Sequence, residues 1–234
     1  MDVKHSSRAN TTRDRIVAAA AGLLTEGGRE AVSTRAVSAA AGVQAPTIYR
    51  LFGDKQGLLD AVAEHGFSTY LNSKTRRPPS ADPVENLRAG WDLHVDFGLA
   101  NPALYSLMYG DPHPGAAPPA AVAAAEVLAQ HIRRIAEAGR LRVGEDRAAH
   151  LVHAAGCGTT LTLIALPEDR RDPALSDLAR EAVIAAIITD ASAAATPGPV
   201  SAAVALRAVL PQTSVLTPHE RALLEEWLDR IARS

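Results

Sequence analysis

Gln44, Thr47, Tyr49 and Arg50 crowd into one short stretch, Gln44-Ala45-Pro46-Thr47-Ile48-Tyr49-Arg50-Leu51-Phe52. An amide, two hydroxyls and a guanidinium suit phosphate oxygens and base edges rather than bond breaking. The start of a helix adds unpaired N–H groups that favour phosphate. Lys55, beside Asp54, supplies a further cation a few residues on. Elsewhere the chain offers no nucleophile–base pair, no phosphate-cradling glycine loop and no paired carboxylates at a telling spacing, so no enzyme and no cofactor are expected. One other constellation has donor chemistry: His150-x-x-His153-x-x-x-Cys157. Spacings of three and four put these side chains on one helix face, as a soft-metal site requires. No second cysteine or nearby carboxylate pair completes it, so pocket lining or packing is expected and no metal. No basic neighbour in sequence lowers the pKa of Cys157 toward a redox role.

The elements that position the first group are readable on either side of it. Ser33-Thr34-Arg35-Ala36-Val37-Ser38-Ala39-Ala40 predicts a short helix capped by Ser33. Gly42 then stands where the chain must reverse. Pro46 falls in the first turn of a second helix, where its missing N–H costs nothing. Val37, Ala40, Val43, Ile48 and Phe52 are expected to face inward, leaving Gln44, Ala45, Thr47, Tyr49 and Arg50 near the exposed start of the second helix. Two such helices around a glycine turn make a helix-turn-helix, whose second helix enters the DNA major groove. Asp54 is the expected cap of the helix that follows.

From about Thr12 to Val62 the chain resembles the TetR family of bacterial transcriptional repressors. The resemblance is carried by Leu23-Leu24-Thr25-Glu26-Gly27-Gly28, Ser33-Thr34-Arg35, Ala41-Gly42-Val43, Thr47-Ile48-Tyr49, Phe52, Lys55 and Leu58-Leu59. It implies that Thr34 and Arg35 help contact DNA, that Thr47 and Tyr49 touch phosphates, and that Lys55 grips a phosphate from the fourth helix. Two positions depart from the pattern: Ala45 stands where some relatives carry a polar base reader, and Leu51 replaces a frequent histidine. Base readout is therefore expected to rest on Arg35, Gln44 and Arg50.

Composition agrees. Hydrophobic residues make up 47% of the 234 residues but aromatics only 4%, and the abundant alanine favours helices over sheets. Residues 1–77 carry 11 Lys and Arg against 7 Asp and Glu, the remainder 13 against 19. A basic end on an acidic body points a nucleic-acid footprint at the N-terminal part. A single cysteine excludes an intrachain disulfide and suits a reducing cytoplasm. No signal peptide and no span of about 20 apolar residues is read, so no membrane partner is expected.

The first helix buries Ile16, Ala20, Leu23 and Leu24 along one stripe. A polar start, Met1 to Asn10, leaves Lys4 and Arg8 free to meet the DNA backbone. A fourth helix runs from Lys55 to about Asn72, a break follows at Arg76-Arg77-Pro78-Pro79-Ser80, and Asp82-Pro83 opens the next helix, to about Leu99. Asn101-Pro102 opens a short helix ending near Met108, and Asp111 through Pro119 is a loop. Helices are predicted over 120–138, 145–166 and 174–195. Thr196-Pro197-Gly198-Pro199 links to one more apolar segment, and Thr217-Pro218-His219-Glu220 is a capping box that opens a last helix through Ile231. The expected architecture is all-α: an N-terminal helix-turn-helix domain over 1–55 and a larger helical ligand-binding and dimerisation domain over 56–234.

Most bulky side chains lie between Trp91 and Tyr109, a stretch that loosely resembles the ligand domains of some TetR relatives. Trp91, His94, Val95, Tyr105, Met108, His153 and Cys157 are the expected lining of a site for a small apolar or amphipathic ligand. The run Ala154-Ala155-Gly156-Cys157-Gly158-Thr159-Thr160 lets helix backbones approach closely. The family dimerises through its eighth and ninth helices, so the resemblance implies a homodimer built on Ala155, Gly156, Thr159, Val183, Ile184, Ile187 and Ile188. The resulting expectation is a cytoplasmic, nucleoid-associated bacterial repressor, released from a palindromic double-stranded operator by a ligand. The alternative is a dimeric helical interaction or architectural DNA-binding protein that takes no ligand.

Overall fold

The computed structural model describes residues 3–74, 80–110, 117–172, 174–189 and 198–233, with side chains from residue 11 onward and, near the end of the fourth helix, as far as residue 69. The chain forms α1 (Val3–Ala31), α2 (Thr34–Ala41), α3 (Ala45–Phe52), α4 (Lys55–Lys74), α5 (Pro83–Ala100) and α6 (Pro102–Tyr109). It continues as α7 (Pro119–Glu137), α8 (Glu145–Ala165), α9 (Ala174–Ile187), α10 (Pro199–Val209) and α11 (Pro218–Ala232). Strand pairing among the described residues is confined to an isolated antiparallel bridge between Leu141 and Ile188, so the fold is all-α. The backbone of α1 is already helical at Val3, where a polar, unstructured start was expected. The side chains of Lys4 and Arg8, the break at 76–79, most of the loop from Asp111 and the linker at 196–197 lie outside the described residues.

Local sequence explains most boundaries. α1 breaks at Gly27 and Gly28, the latter at φ 66°, a conformation that glycine adopts without a Cβ penalty. Asp82 accepts from the Val84 N–H at 2.8 Å and so caps α5. Thr217 and Glu220 form the reciprocal capping box that their spacing predicts for α11. One prediction overran: α9 stops at Ile187 rather than continuing to 195. Ile188 leaves the helix to pair with Leu141, with Arg142 N–H donating to Ile187 O at 2.9 Å and Thr189 N–H to Arg140 O at 2.9 Å.

Two compact units result. The first holds α1–α4, α5 from Phe97, α6, and α7 as far as Ala123. Its core includes Ile16, Val17, Ala20, Leu24, Val37, Ile48, Leu58, Leu59 and Val62. α4 and α6 approach at Gly66, where a Cβ would stand 2.6 Å from Leu104 Cδ1. Around that contact Phe67 meets Phe97 edge-on at 5.7 Å, and Tyr105 lies between Phe97 and Tyr109.

The second unit holds α5 up to Asp96, α7 from Ala124, and α8–α11. α8 packs on α9, and α10 on α11. Against expectation, α8 is long and apolar enough to cross a membrane by length and composition. Its buried residues Ala148, Val152, Gly156, Thr160 and Leu163 instead form a line with the three-to-four spacing of a helix packed on one side. α5 is fastened to α9 by ions: Arg88 donates to both Glu181 oxygens, Nε to Oε1 at 3.0 Å and Nη2 to Oε2 at 2.7 Å, while Arg180 pairs with Asp92 and Asp177. The Arg88 guanidinium holds the Glu181 carboxyl down to about 2.

Candidate nucleic-acid interface

α2 and α3 are short, so their placement depends on their ends. Ser33, in an extended conformation, accepts from the Ala36 N–H at 3.1 Å and satisfies one of the orphan donors of α2. At the other end Gly42 is left-handed at φ 62°, ψ 41°, and the Val43 N–H reaches back to Ser38 O at 3.0 Å. α3 begins at Ala45 with Pro46 in its first turn and ends at Gly53, φ 80°. Asp54 then accepts from the Gly57 N–H at 2.8 Å and caps α4, as its position predicts.

The inward side of this pair is Val37, Ala41 and Ile48, all buried, with Val43 and Phe52 half-buried. Ala40 was expected inside and is exposed. Ala41 takes its place, because it lies four residues after Val37 and so shares its helix face more closely. With the core side filled, the polar groups point out. Arg35, Gln44, Arg50 and Lys55 are exposed, Tyr49 is 52% exposed, and Thr34, Ala45 and Thr47 are half-buried. The surface combines four donors or cations (Arg35, Gln44, Arg50 and Lys55) with three hydroxyl groups (Thr34, Thr47 and Tyr49) on the start of α3 and the flanking ends of α2 and α4. That inventory fits phosphate and base-edge contacts and no covalent chemistry.

Four further residues, Arg13, Arg29, Gln56 and Gly57, hold these groups in place. The Arg13 guanidinium sits over the Phe52 ring, 5.3 Å from its centroid, joining α1 to the end of α3. Arg29 donates to Gln56 at 2.9 Å, and Gln56 donates to Asp60 at 2.8 Å, tying the end of α1 to the start of α4 beside Lys55. Gly57 backs onto α3 so closely that a Cβ would lie 2.1 Å from Phe52 O. None of these is signalled by spacing, since each depends on residues brought together from separate helices.

The residues expected to line a ligand site divide between the two units. In the second, Trp91, His94, His153 and Cys157 converge. The Trp91 ring is buried and its Nε1–H donates to Ser176 Oγ at 3.0 Å. Cys157 Sγ lies 4.0 Å from His94 Nε2 and 3.7 Å from the His153 ring nitrogens. Burial, and then His153, push the His94 imidazole down to about 4. Burial and His150 lower His153 as well, so neutral imidazoles face the thiol near pH 7. Val95 is buried. Tyr105 and Met108, also buried, belong to the first unit, where Tyr105 joins the aromatic group of Phe97 and Tyr109. Among the described residues, no group of three or more His, Cys, Asp or Glu side chains is arranged to hold a metal ion.

The residues expected at a self-association face are distributed differently from that expectation. Val183, Ile184, Ile187 and Ile188 are buried within the chain, Ile187 completely. Gly156 is buried too, with the Trp91 and His94 rings 3.6 Å from where its Cβ would be. Apolar isoleucines on α9 serve the chain's own interior, because α9 must first cover α8. Ala155 and Thr159 are half-buried. The outward residues are Leu151, Ala154, Gly158 and Thr162 on α8, with Leu178, Ala182 and Ala185 on α9.

Residues 16–62 match the family profile described as bacterial regulatory proteins, tetR family. The HTH-type transcriptional repressor KstR of Rhodococcus jostii (strain RHA1) is 37% identical over 76 residues, 32% of this chain and 35% of that one. The match therefore spans about a third of that relative's length. Among solved structures, a protein of unknown function from Rhodococcus sp. RHA1 is 25% identical at a TM-score of 0.58, covering 76% of this chain and 96% of the other. RolR in complex with resorcinol is 19% identical at a TM-score of 0.61, covering 78% and 90%. A tetR family transcription regulator, so described provisionally, from Shewanella sp. PV-4 is 18% identical at 0.60, covering 76% and 99%.

Proposed function

Residues 16–62 match the TetR family of bacterial regulatory proteins, and from that match we propose that the chain is a TetR-family transcriptional repressor, released from a palindromic operator by a small molecule. The observation that carries the reading is the outward set Arg35, Gln44, Thr47, Tyr49, Arg50 and Lys55, held on a pair of helices whose other side is closed by Val37, Ala41 and Ile48. In this reading Arg35, Gln44 and Arg50 contact base edges. Thr34, Thr47, Tyr49 and Lys55 contact phosphates and set the register, with Ala45 close to the groove floor.

A palindrome needs two reading heads about 34–36 Å apart. The proposed homodimer closes through the outward residues of α8 and α9, from Leu151 to Thr162 and from Leu178 to Ala185. Small residues at Ala154, Ala155, Gly158 and Thr159 let the helices of a four-helix bundle come close. The ligand is an apolar or amphipathic small molecule at Trp91, His94, His153 and Cys157. That a structural neighbour, RolR, holds resorcinol supports the ligand class, not its identity. α5 carries Trp91 and His94, and the same helix carries Phe97, which meets Phe67 of α4. A ligand that binds one position of α5 better than another would shift the population of reading-head geometries. As a bacterial DNA-binding regulator the protein would work in the cytoplasm, at the nucleoid.

Selection of bound sites from a random DNA pool, followed by footprinting and affinity against salt concentration, tests the reading. A protected palindrome with a steep salt slope is expected. Absence of any selected site from folded protein would leave the interaction-module alternative in its place.

A further inference from the structure

The C-terminal helix presents a second apolar surface, distinct from α8 and α9. Its inner side is occupied: Leu228 is buried with Ala203 and Leu210 of the α10 region, and Leu216 and Leu224 pack against them. Its outer edge is open. Leu223 is 45% exposed and Trp227, one turn on, 51%. Ile231 continues the same edge another turn, and Leu206 stands exposed on α10. A half-exposed tryptophan beside leucine and isoleucine has the composition of an interface centre, not of a solvated helix face. The helix is also rigidly held. The Thr217 capping box fixes its start, Arg207 pairs with Asp229 at 2.9 Å along its length, and a Cβ at Gly144 would stand 3.9 Å from Ala232 O at its end.

Charge on this edge identifies the occupant. Glu226 and Arg230 lie one turn apart on the same flank of the Leu223–Trp227 stripe, acid toward the start of α11 and base toward its end. An antiparallel twofold pairing keeps each flank facing the same flank of the other copy while reversing direction. Glu226 of one copy then meets Arg230 of the other, twice, around a central pair of tryptophans. A surface that is apolar along its middle and opposite in charge at its two ends is complementary to itself.

We infer that the Leu223–Trp227 edge of α11 docks antiparallel on the same edge of a second copy of this chain. This contact goes beyond the proposed α8–α9 dimer, and with the two twofold axes crossing at right angles the pair of contacts closes as a dimer of dimers. Sedimentation of the full-length chain over a concentration series tests it, with thermal melts confirming that each variant is folded. The wild type is expected to reach a tetramer. Trp227→Glu should stop at a dimer, raising the midpoint concentration of the tetramer step by roughly 30-fold or more. Glu226→Arg should weaken the same step, and the exchanged pair Glu226→Arg with Arg230→Glu should restore it. Leu178→Glu on α9 removes the other contact and should leave a dimer that Trp227→Glu abolishes. A wild-type dimer dissociated by Leu178→Glu and unaffected by Trp227→Glu would overturn the α11 inference and leave the α8–α9 reading standing. A dimer lost with Trp227→Glu and untouched by Leu178→Glu would uphold α11 and overturn α8–α9. Failure of the exchanged pair to restore assembly would overturn the antiparallel geometry.

Discussion

The helix-turn-helix end and the second unit solve opposite problems with the same kind of element. α2 and α3 have eight residues each, too few to be stable as isolated helices. They are fixed by the Ser33 cap, a left-handed glycine and the buried Val37, Ala41 and Ile48, which leaves most of their surface for a partner. The helices from α7 to α11 are mostly longer and alanine-rich, and several spend their larger side chains on one another. Their remaining surface mixes exposed charges such as Glu226 and Arg230 with small residues and apolar ones such as Leu178 and Trp227. On the proposed reading, recognition is concentrated in side chains where helices are short, and in assembly where they are long.

The largest expected effect comes from breaking a core on either side of that divide. Ile48 and Ile187 are both essentially unexposed, and alanine at either should cost about 2–5 kcal/mol in calorimetric or denaturant unfolding. The comparison is sharpened by which function follows: Ile48→Ala should weaken DNA binding at temperatures where helicity persists, whereas Ile187→Ala should not change the salt slope of binding.

Next comes pH. His94 titrates near 4 when folded and near 6.5 when unfolded, so between those values the unfolded chain binds the extra proton and stability rises with pH. The contribution is complete above about 6.5 and is lost as pH falls toward 4, by up to about 3 kcal/mol. Unfolding of a His94→Gln chain across this window should show a flatter profile, and an unchanged slope would mean that His94 is solvated.

Smaller effects belong to the DNA-facing end. Arg50→Ala should cost about 1–3 kcal/mol on the selected site and relax its sequence preference. Lys55→Ala should weaken all sequences alike and lower the salt slope by about 1. Smallest is Ser33→Ala, expected to cost about 1 kcal/mol of stability through the lost cap, a difference that a thermal melt resolves.

Features encoded within a few residues were legible from the sequence. The Ser33 and Asp54 caps, the reversal at Gly42, the Thr217–Glu220 box and most helix boundaries are of this kind, since a cap and the N–H that it satisfies lie three residues apart. So was the all-α class, which needs only composition and period. What depends on which helix covers which was not legible. Val183, Ile184, Ile187 and Ile188 read as an apolar face from the sequence, and only the placement of α8 shows that the chain consumes it. Tyr105 and Trp91 looked like neighbours because they are close in sequence, yet they belong to different compact units. α9 was read too long because the bridge that ends it involves Leu141, 47 residues away from Ile188.

Gly57 bears on how the reading head can move. With the Phe52 carbonyl pressed against its Cα, and Arg13 and Gln56 bracing either side, the junction of α3 and α4 has no slack for one helix to swing while the other stays. Mechanically it is a welded elbow rather than a hinge. Whatever turns α4 turns α3 with it, so on the proposed reading a small rotation at the long helix becomes a displacement of the reading side chains along the groove.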